Sequence, residues 1–149
     1  MKLPAFVLVM PLMWVHFAWA APGDGQDALA AIASATGGKM KARQGRAFDR
    51  DCGQEVEYEA QAIDLNGDGQ LEVLTHESSG CFGRAGVQMN LYIRARNGQW
   101  QPQFGFPGMA TVLKTRRNGY PDIQIGGPGT CFPVWRFDGQ RYQLAKRCP

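Results

Sequence analysis

The chain has 149 residues, with 16 Lys and Arg against 13 Asp and Glu and a formal net charge of +3. That length suits one domain and leaves little room for two. So small a positive balance gives no electrostatic case for a nucleic-acid partner.

Residues 1–20 stand apart from the rest. Lys2 gives a short positive start, and an apolar run follows from Leu3 to Trp19, broken only by Pro4, Pro11 and His16. Ala18-Trp19-Ala20 then offers small residues at the two positions a signal peptidase reads. This layout predicts a secretory signal peptide rather than a membrane anchor, which needs about 20 clean apolar residues. The mature chain is expected in the periplasm or outside the cell, with no membrane span after cleavage. No cysteine lies beside the cleavage point, so no lipid anchor is expected.

Residues 21–50 read as a helix and a connector. Gln26 to Thr36 is alanine-rich and stops at Gly37-Gly38, and Lys39 to Arg50 is basic, glycine-punctuated and expected to be irregular.

Residues 51–149 read as a β domain. Glu55, Glu57, Glu59 and Gln61 alternate with Val56, Tyr58, Ala60 and Ala62, which predicts a strand with one wet face. Leu71–Leu74 predicts a second strand, and Val87–Arg96 alternates as a third. Asn97-Gly98 predicts a two-residue type I′ turn, returning the chain through Trp100 to Phe104. Further short strands are expected at 110–115, 122–125, 134–137 and 140–144, the last two joined by a two-residue turn at Asp138-Gly139.

The chain also matches itself at an offset of fifty residues. Gly69, Cys81, Phe82 and Tyr92 fall on Gly119, Cys131, Phe132 and Tyr142, with Glu72 against Asp122. Similarity at a fixed period marks a repeated supersecondary unit, so residues 51–149 are expected to hold an internal duplication. In the second copy, Lys114 and Arg116 replace the acid and amide of Asp64 and Asn66.

Cys52, Cys81, Cys131 and Cys148 are even in number and contain no Cys-x-x-Cys pair, which predicts two disulfides in an exported protein. Three pairings are open. Equivalent positions in the two copies allow Cys81 to face Cys131, leaving Cys52 with Cys148.

The segment Asp64-Leu65-Asn66-Gly67-Asp68-Gly69-Gln70-Leu71-Glu72 concentrates oxygen donors at alternate positions. Calcium, a hard cation, takes six to eight oxygens. The side chains of Asp64, Asn66, Asp68 and Glu72, with the backbone carbonyl of Gln70, are the expected ligands. Three carboxylates that close would repel one another without a cation; the other reading is an acidic turn with no ion. Position twelve is Thr75 and a strand follows, so the loop is not an EF-hand. It resembles the calcium loop of FG-GAP or VCBS repeats, the blades of integrin-type propellers, except that Glu72 stands where those blades carry aspartate.

Catalytic signals are sparse. His76 is the only histidine of the mature chain, too little for a Ser-His-acid triad or a His-Glu-x-x-His zinc site, and it reads as an edge-strand polar residue. Gly126-Gly127-Pro128-Gly129 has the composition of a phosphate loop, but Pro128 lacks an N–H donor. Trp100, Trp135 and Phe132 read as core. A glycosidase, which needs only two carboxylates, ranks third among the functions considered.

Two blade-like units cannot close a propeller of four or more blades. They are expected to pack as a propeller-like sandwich, mainly β, with one short N-terminal helix. With the calcium loop, the cysteine-bearing stretches and the hairpin Phe137–Tyr142, the chain resembles the periplasmic immunity proteins of bacterial-killing type IV secretion systems. Those are related in fold to invertebrate-type lysozyme inhibitors. The resemblance implies occlusion of a secreted, lysozyme-like peptidoglycan hydrolase. Its candidate contact residues here are Ser78, Ser79, Phe82 and Arg84, with 126–132 as the matching loop. Arg84 is expected to meet a cleft carboxylate and Ser79 to donate a hydrogen bond. The rival reading is a calcium-stabilised envelope-binding module without inhibitory activity.

Overall fold

The computed structural model describes residues 25–126 and 131–148, so the segment expected to be a signal peptide and most of the Gly-Pro stretch lie outside it. The helix forms as expected: α1 spans Gly25–Ala35 and buries Ala28, Ala31 and Ile32. Thr36 closes it, its hydroxyl donating to the Ile32 carbonyl (2.8 Å) and accepting from the Met40 N–H (3.1 Å).

Lys39 to Arg50 is not wholly irregular. It contains strand β1 (Gln44–Asp49), which pairs with β2 (Gln54–Ile63). Only Ala47 of β1 is buried, so the strand lacks a readable alternation and is held by its ladder to β2. β3 runs Glu72–Ser78, β4 Val87–Arg94 and β5 Trp100–Pro107, giving an antiparallel five-stranded sheet A in the order β1-β2-β3-β4-β5. β6 (Met109–Arg117), β7 (Tyr120–Gly126), β8 (Val134–Phe137) and β9 (Tyr142–Lys146) form an antiparallel four-stranded sheet B in chain order. The chain is thus mainly β. Among the described residues neither sheet closes, so a propeller is not shown; two open sheets pack face to face beneath one helix.

Sheet A is covered on both sides. On its outer face Tyr58, Ala60 and Val73 pack with Ala31, Ile32 and Met40. On its inner face Leu74, Met89, Leu91, Ile93 and Phe104 meet Tyr120, Ile123, Ile125, Phe137 and Tyr142 of sheet B. Strand alternation sends successive side chains to these two cores. Trp135 joins the inner core and Trp100 packs against the outer one, where its indole N–H donates to Ser34 Oγ (2.9 Å). β3 is central, so His76 is not on an edge strand; it is half-buried between the layers, and burial lowers its pKa.

Core packing also corrects the turns. Arg94 pairs with Trp100 and lies over its ring at 4.6 Å, leaving five residues between them. The loop therefore closes with Ala95 bonded to Gln99 (2.8 Å) and Gly98 N–H bonded to the Ala95 carbonyl (2.8 Å). That is a three-residue turn with only Gly98 at positive φ, not a two-residue type I′ turn. The type I′ signature occurs instead at Asn118-Gly119, between the paired Arg117 and Tyr120, with φ of 51° and 86°. At the second expected two-residue turn, Phe137 pairs with Tyr142, both buried, and Asp138 N–H bonds the Arg141 carbonyl (3.0 Å), so the two enclosed residues are Gly139-Gln140, one position later than expected. Asp138 Oδ1 organises it by accepting from the N–H groups of Gln140 and Arg141.

The disulfides join Cys52 to Cys81 and Cys131 to Cys148, with Cα separations of 5.7 and 5.5 Å. Cys81 does not face Cys131, because each follows a strand of a different sheet. At the fifty-residue offset, Glu72 and Asp122 are both buried near the starts of β3 and β7. The match in strand position then ends: Tyr92 lies within β4, whereas Tyr142 opens β9.

Candidate functional site

The acidic loop leads from β2 into β3. Asp64 Oδ1 accepts the N–H groups of Gly67 (2.7 Å) and Asp68 (3.2 Å), and its Oδ2 accepts that of Gly69 (3.0 Å). Asn66 Oδ1 accepts from Asp68 N–H, and Asp68 Oδ1 from Gln70 N–H. Slight desolvation opposes ionisation of Asp64, but the N–H groups of Gly69, Gly67 and Asp68 outweigh it and hold its carboxyl below the usual range. The loop is therefore a ladder of side-chain-to-backbone turns, the structure short polar side chains favour.

Glu72 behaves differently. It points between the sheets, 2 % exposed, where Oε2 accepts from Leu65 N–H (2.7 Å) and Oε1 from the Tyr120 hydroxyl (3.1 Å). Burial pushes its pKa up to about 7, against those two donors and aided by the charges of Asp68 and Asp64. The Tyr120 hydroxyl is raised in turn, by burial and by the Glu72 carboxylate.

The structure thus brings Asp64, Asn66 and Asp68 together on the surface and sends Glu72 inward. Among the described residues no three His, Cys, Asp or Glu side chains converge as a ready ligand cluster. The chemistry of the surface set still fits a hard cation: Asp64 Oδ1 already accepts two N–H bonds, but Asp64 Oδ2, Asn66 Oδ1 and both Asp68 oxygens accept one each and keep a lone pair. Gln70 is exposed beside them. The loop borders a cleft of about 630 Å³ that Asn66, Asp68 and Gln70 share with Arg94, Asn118 and Tyr120.

At the opposite end of β3 lies the candidate contact loop. Two short 3₁₀ turns kinked at Phe82-Gly83 fill Gly80–Ala85, with Ser79 as N-cap of the first: the Ser79 hydroxyl accepts from Cys81 N–H (3.3 Å) and from Gln54 Nε2 (3.0 Å). Ser79 N–H bonds the Gly86 carbonyl (3.0 Å), closing the loop at its base. Ser78 and Arg84 are exposed, whereas Phe82 is half-buried. Seven residues of β3 separate this loop from the acidic one, about 20 Å of strand, so the Cys52–Cys81 bond and not the acidic loop is its immediate anchor.

Three polar knots lie outside what the sequence pattern predicts. Lys39 Nζ bridges Asp49 Oδ2 (3.0 Å) and Glu77 Oε2, tying the segment after α1 to sheet A. Asp122, 2 % exposed, takes two bonds from the Arg136 guanidinium (2.9 and 2.7 Å) and one from the Thr115 hydroxyl (2.9 Å). Arg116 donates to the Leu65 carbonyl (2.9 Å), docking sheet B on the acidic loop. The available signal was parity: Glu77 alternates with Val73 and Thr75, and so faces the helical layer.

No protein-family model matches the chain, and neither a curated protein nor a solved structure matches it.

Proposed function

We propose that this chain is exported through its N-terminal signal peptide and acts in the periplasm as an inhibitor, or immunity protein, occluding a lysozyme-like peptidoglycan hydrolase. In this reading it is a relative of the FG-GAP-like immunity proteins, with a duplicated β unit. Calcium at Asp64, Asn66, Asp68 and the Gln70 carbonyl stiffens the entry to β3, and recruiting Glu72 requires that side chain to leave Leu65 and Tyr120. The role of the ion is structural.

The observation that carries the reading is the exposed loop Ser79–Gly86, closed by its own backbone bond, capped by Ser79 and pinned by Cys52–Cys81. A pinned loop loses little freedom on docking, the main entropic obstacle to a tight complex. Arg84 at its surface is the group that meets a carboxylate pair in a hydrolase cleft. The Ser79 hydroxyl accepts from Cys81 N–H and from Gln54 of β2 and keeps its own O–H to donate, beside the exposed Ser78 and Arg84.

The test is turbidimetric lysis of peptidoglycan by a lysozyme-like hydrolase encoded beside this chain's gene. The mature protein should inhibit stoichiometrically, and Arg84→Glu should weaken inhibition by at least about thirtyfold. Absence of both inhibition and complex refutes the proposal. Binding to envelope material without inhibition moves the protein to the calcium-stabilised module reading.

A further inference from the structure

Sheet A is five strands wide and sheet B four, and their overlap is offset. β6 lies over β3: Ala110 N–H meets His76 Nε2 at 3.4 Å, and Arg116 reaches the Leu65 carbonyl just before β3. At the other side Trp135 of β8 packs on Phe104 and Phe106 of β5. Sheet B reaches β2 only at Ile63, which packs against the shared core; β1 and residues 55–59 of β2 project beyond it as a ledge two strands deep, about 10 Å at ordinary strand spacing.

Register fixes the floor of this ledge. Gln61 lies opposite the inner-core Leu74, and Glu59 opposite His76, so Glu55, Glu57 and Glu59 face the side that sheet B leaves open. Arg46 and Phe48 share that face, opposite Glu57 and Glu55. The side chains of Glu55 and Glu57 are 63 % and 74 % exposed, and Phe48 is 58 % exposed. The wall is β6, whose only strand neighbour among the described residues is β7. Ala110 N–H points to His76, while its cross-strand partner Ile125 donates to the Pro133 carbonyl on β7's other side. Ala110 N–H is held by His76, so the edge offers the ledge the Ala110 carbonyl and, two residues on, the N–H and carbonyl of Val112. Met109 and Val112 flank it, 55 % and 43 % exposed.

We propose that the ledge receives an extended segment of another protein. That segment adds to β6 as a fifth strand of sheet B and lays basic side chains on Glu57 and Glu59. An unpaired edge templates strand addition, and pockets beneath alternate side chains give it selectivity. The floor carries three carboxylates against one guanidinium: Arg46 is shared between Glu55 and Glu57, and Glu59 takes only the neutral Gln44 amide, so the net negative charge selects Lys or Arg on the downward face. A second copy of this chain does not fit edge to edge. Joining two β6 strands antiparallel sets the two-fold axis perpendicular to the sheet, and both ledges then occupy the same space beneath the joint. The regular ladder breaks between Val112 and Arg116, so the paired segment is short, centred on Met109–Val112.

The probe is a labelled, end-blocked peptide of alternating Val and Lys, six residues long, followed by fluorescence anisotropy with the oxidised mature protein. It should bind, weaken with added salt, and protect the Val112 amide from hydrogen exchange, since Ala110 N–H is already held by His76 and Thr111 lies in the ladder to β7. The Glu57→Lys/Glu59→Lys double variant should bind at least about tenfold more weakly. Both positions are exposed, and an unchanged melting curve certifies its fold. N-methylating alternate peptide amides along one edge should abolish binding, and along the other leave it intact. The proposal fails if the peptide does not bind, or if the double variant binds it equally well. It also fails if both methylation patterns are tolerated, if protection falls on β1, β5 or β9, or if the protein alone dimerises through β6.

Discussion

Lys39→Met would strip the cation from between Asp49 and Glu77. The side chains of Lys39, Asp49 and Glu77 are 29 %, 13 % and 5 % exposed, so the carboxylate left behind at Glu77 is the more deeply buried one. Its remaining side-chain partner is Asn90 Nδ2 at 3.3 Å. Breaking a fully buried ion pair costs about 3–5 kcal/mol. Lys39 sits on an open side that water reaches, so we scale this to about 2 kcal/mol. In a domain of this size that lowers Tm by roughly 6–10 °C. The assay is urea unfolding of the oxidised protein and of the Lys39→Met, Glu77→Gln and double variants at neutral pH. The double variant should recover at least about 1 kcal/mol relative to additivity. A loss below about 0.5 kcal/mol for Lys39→Met, or strict additivity in the cycle, refutes the reasoning. The pH dependence has a fixed sign. Asp49 is held below its usual pKa, chiefly by Cys52 N–H and also by Lys39, so its contribution is present at neutral pH and lost as pH falls below the ordinary Asp range. Burial opposes the Lys39 charge, but Glu77 and Asp49 together raise its pKa above the ordinary 10.5. That contribution is complete below 10.5 and lost as pH climbs through the raised value.

Asp122→Asn should cost about 1–3 kcal/mol at neutral pH by weakening the bonds from Arg136 and Thr115. The difference should shrink as pH falls below the carboxylate range, because bonds from Arg136 and Thr115 hold the Asp122 pKa down; Tm against pH for both proteins checks it. Millimolar calcium should raise the Tm of the mature protein over that in chelator, and Asp68→Asn should remove the increment. Asp64→Ala should also lower the Tm in chelator, since three N–H groups lose their acceptor. Equal melting of the unmodified protein in calcium and chelator refutes the metal assignment.

The long alternating segments were legible because burial and sequence share one period: Val56, Tyr58 and Ala60 face the helical layer, and Met89, Leu91 and Ile93 face sheet B. β1 was not, because a strand that buries only Ala47 has no pattern to read. The turns were legible only to within a residue, since pairing of Arg94 with Trp100 lengthens the first to three residues and pairing of Phe137 with Tyr142 moves the second one position on, both from outside the turn. The acidic loop was found as a cluster of donors. That Glu72 turns inward depends on Tyr120, forty-eight residues away, and no local spacing encodes it.

Between β5 and β6 the chain crosses from one sheet to the other through Gly108 alone. There φ is 138° and a Cβ would lie 2.3 Å from the Gly126 carbonyl oxygen, so only glycine makes the corner. Each cystine staples loops of its own layer, and neither spans the gap. Under tension the two halves are therefore tethered by that one covalent crossing, and everything else between them is side-chain adhesion. Pulled apart from opposite faces, the sandwich should open like a book along this spine, with both cystines intact.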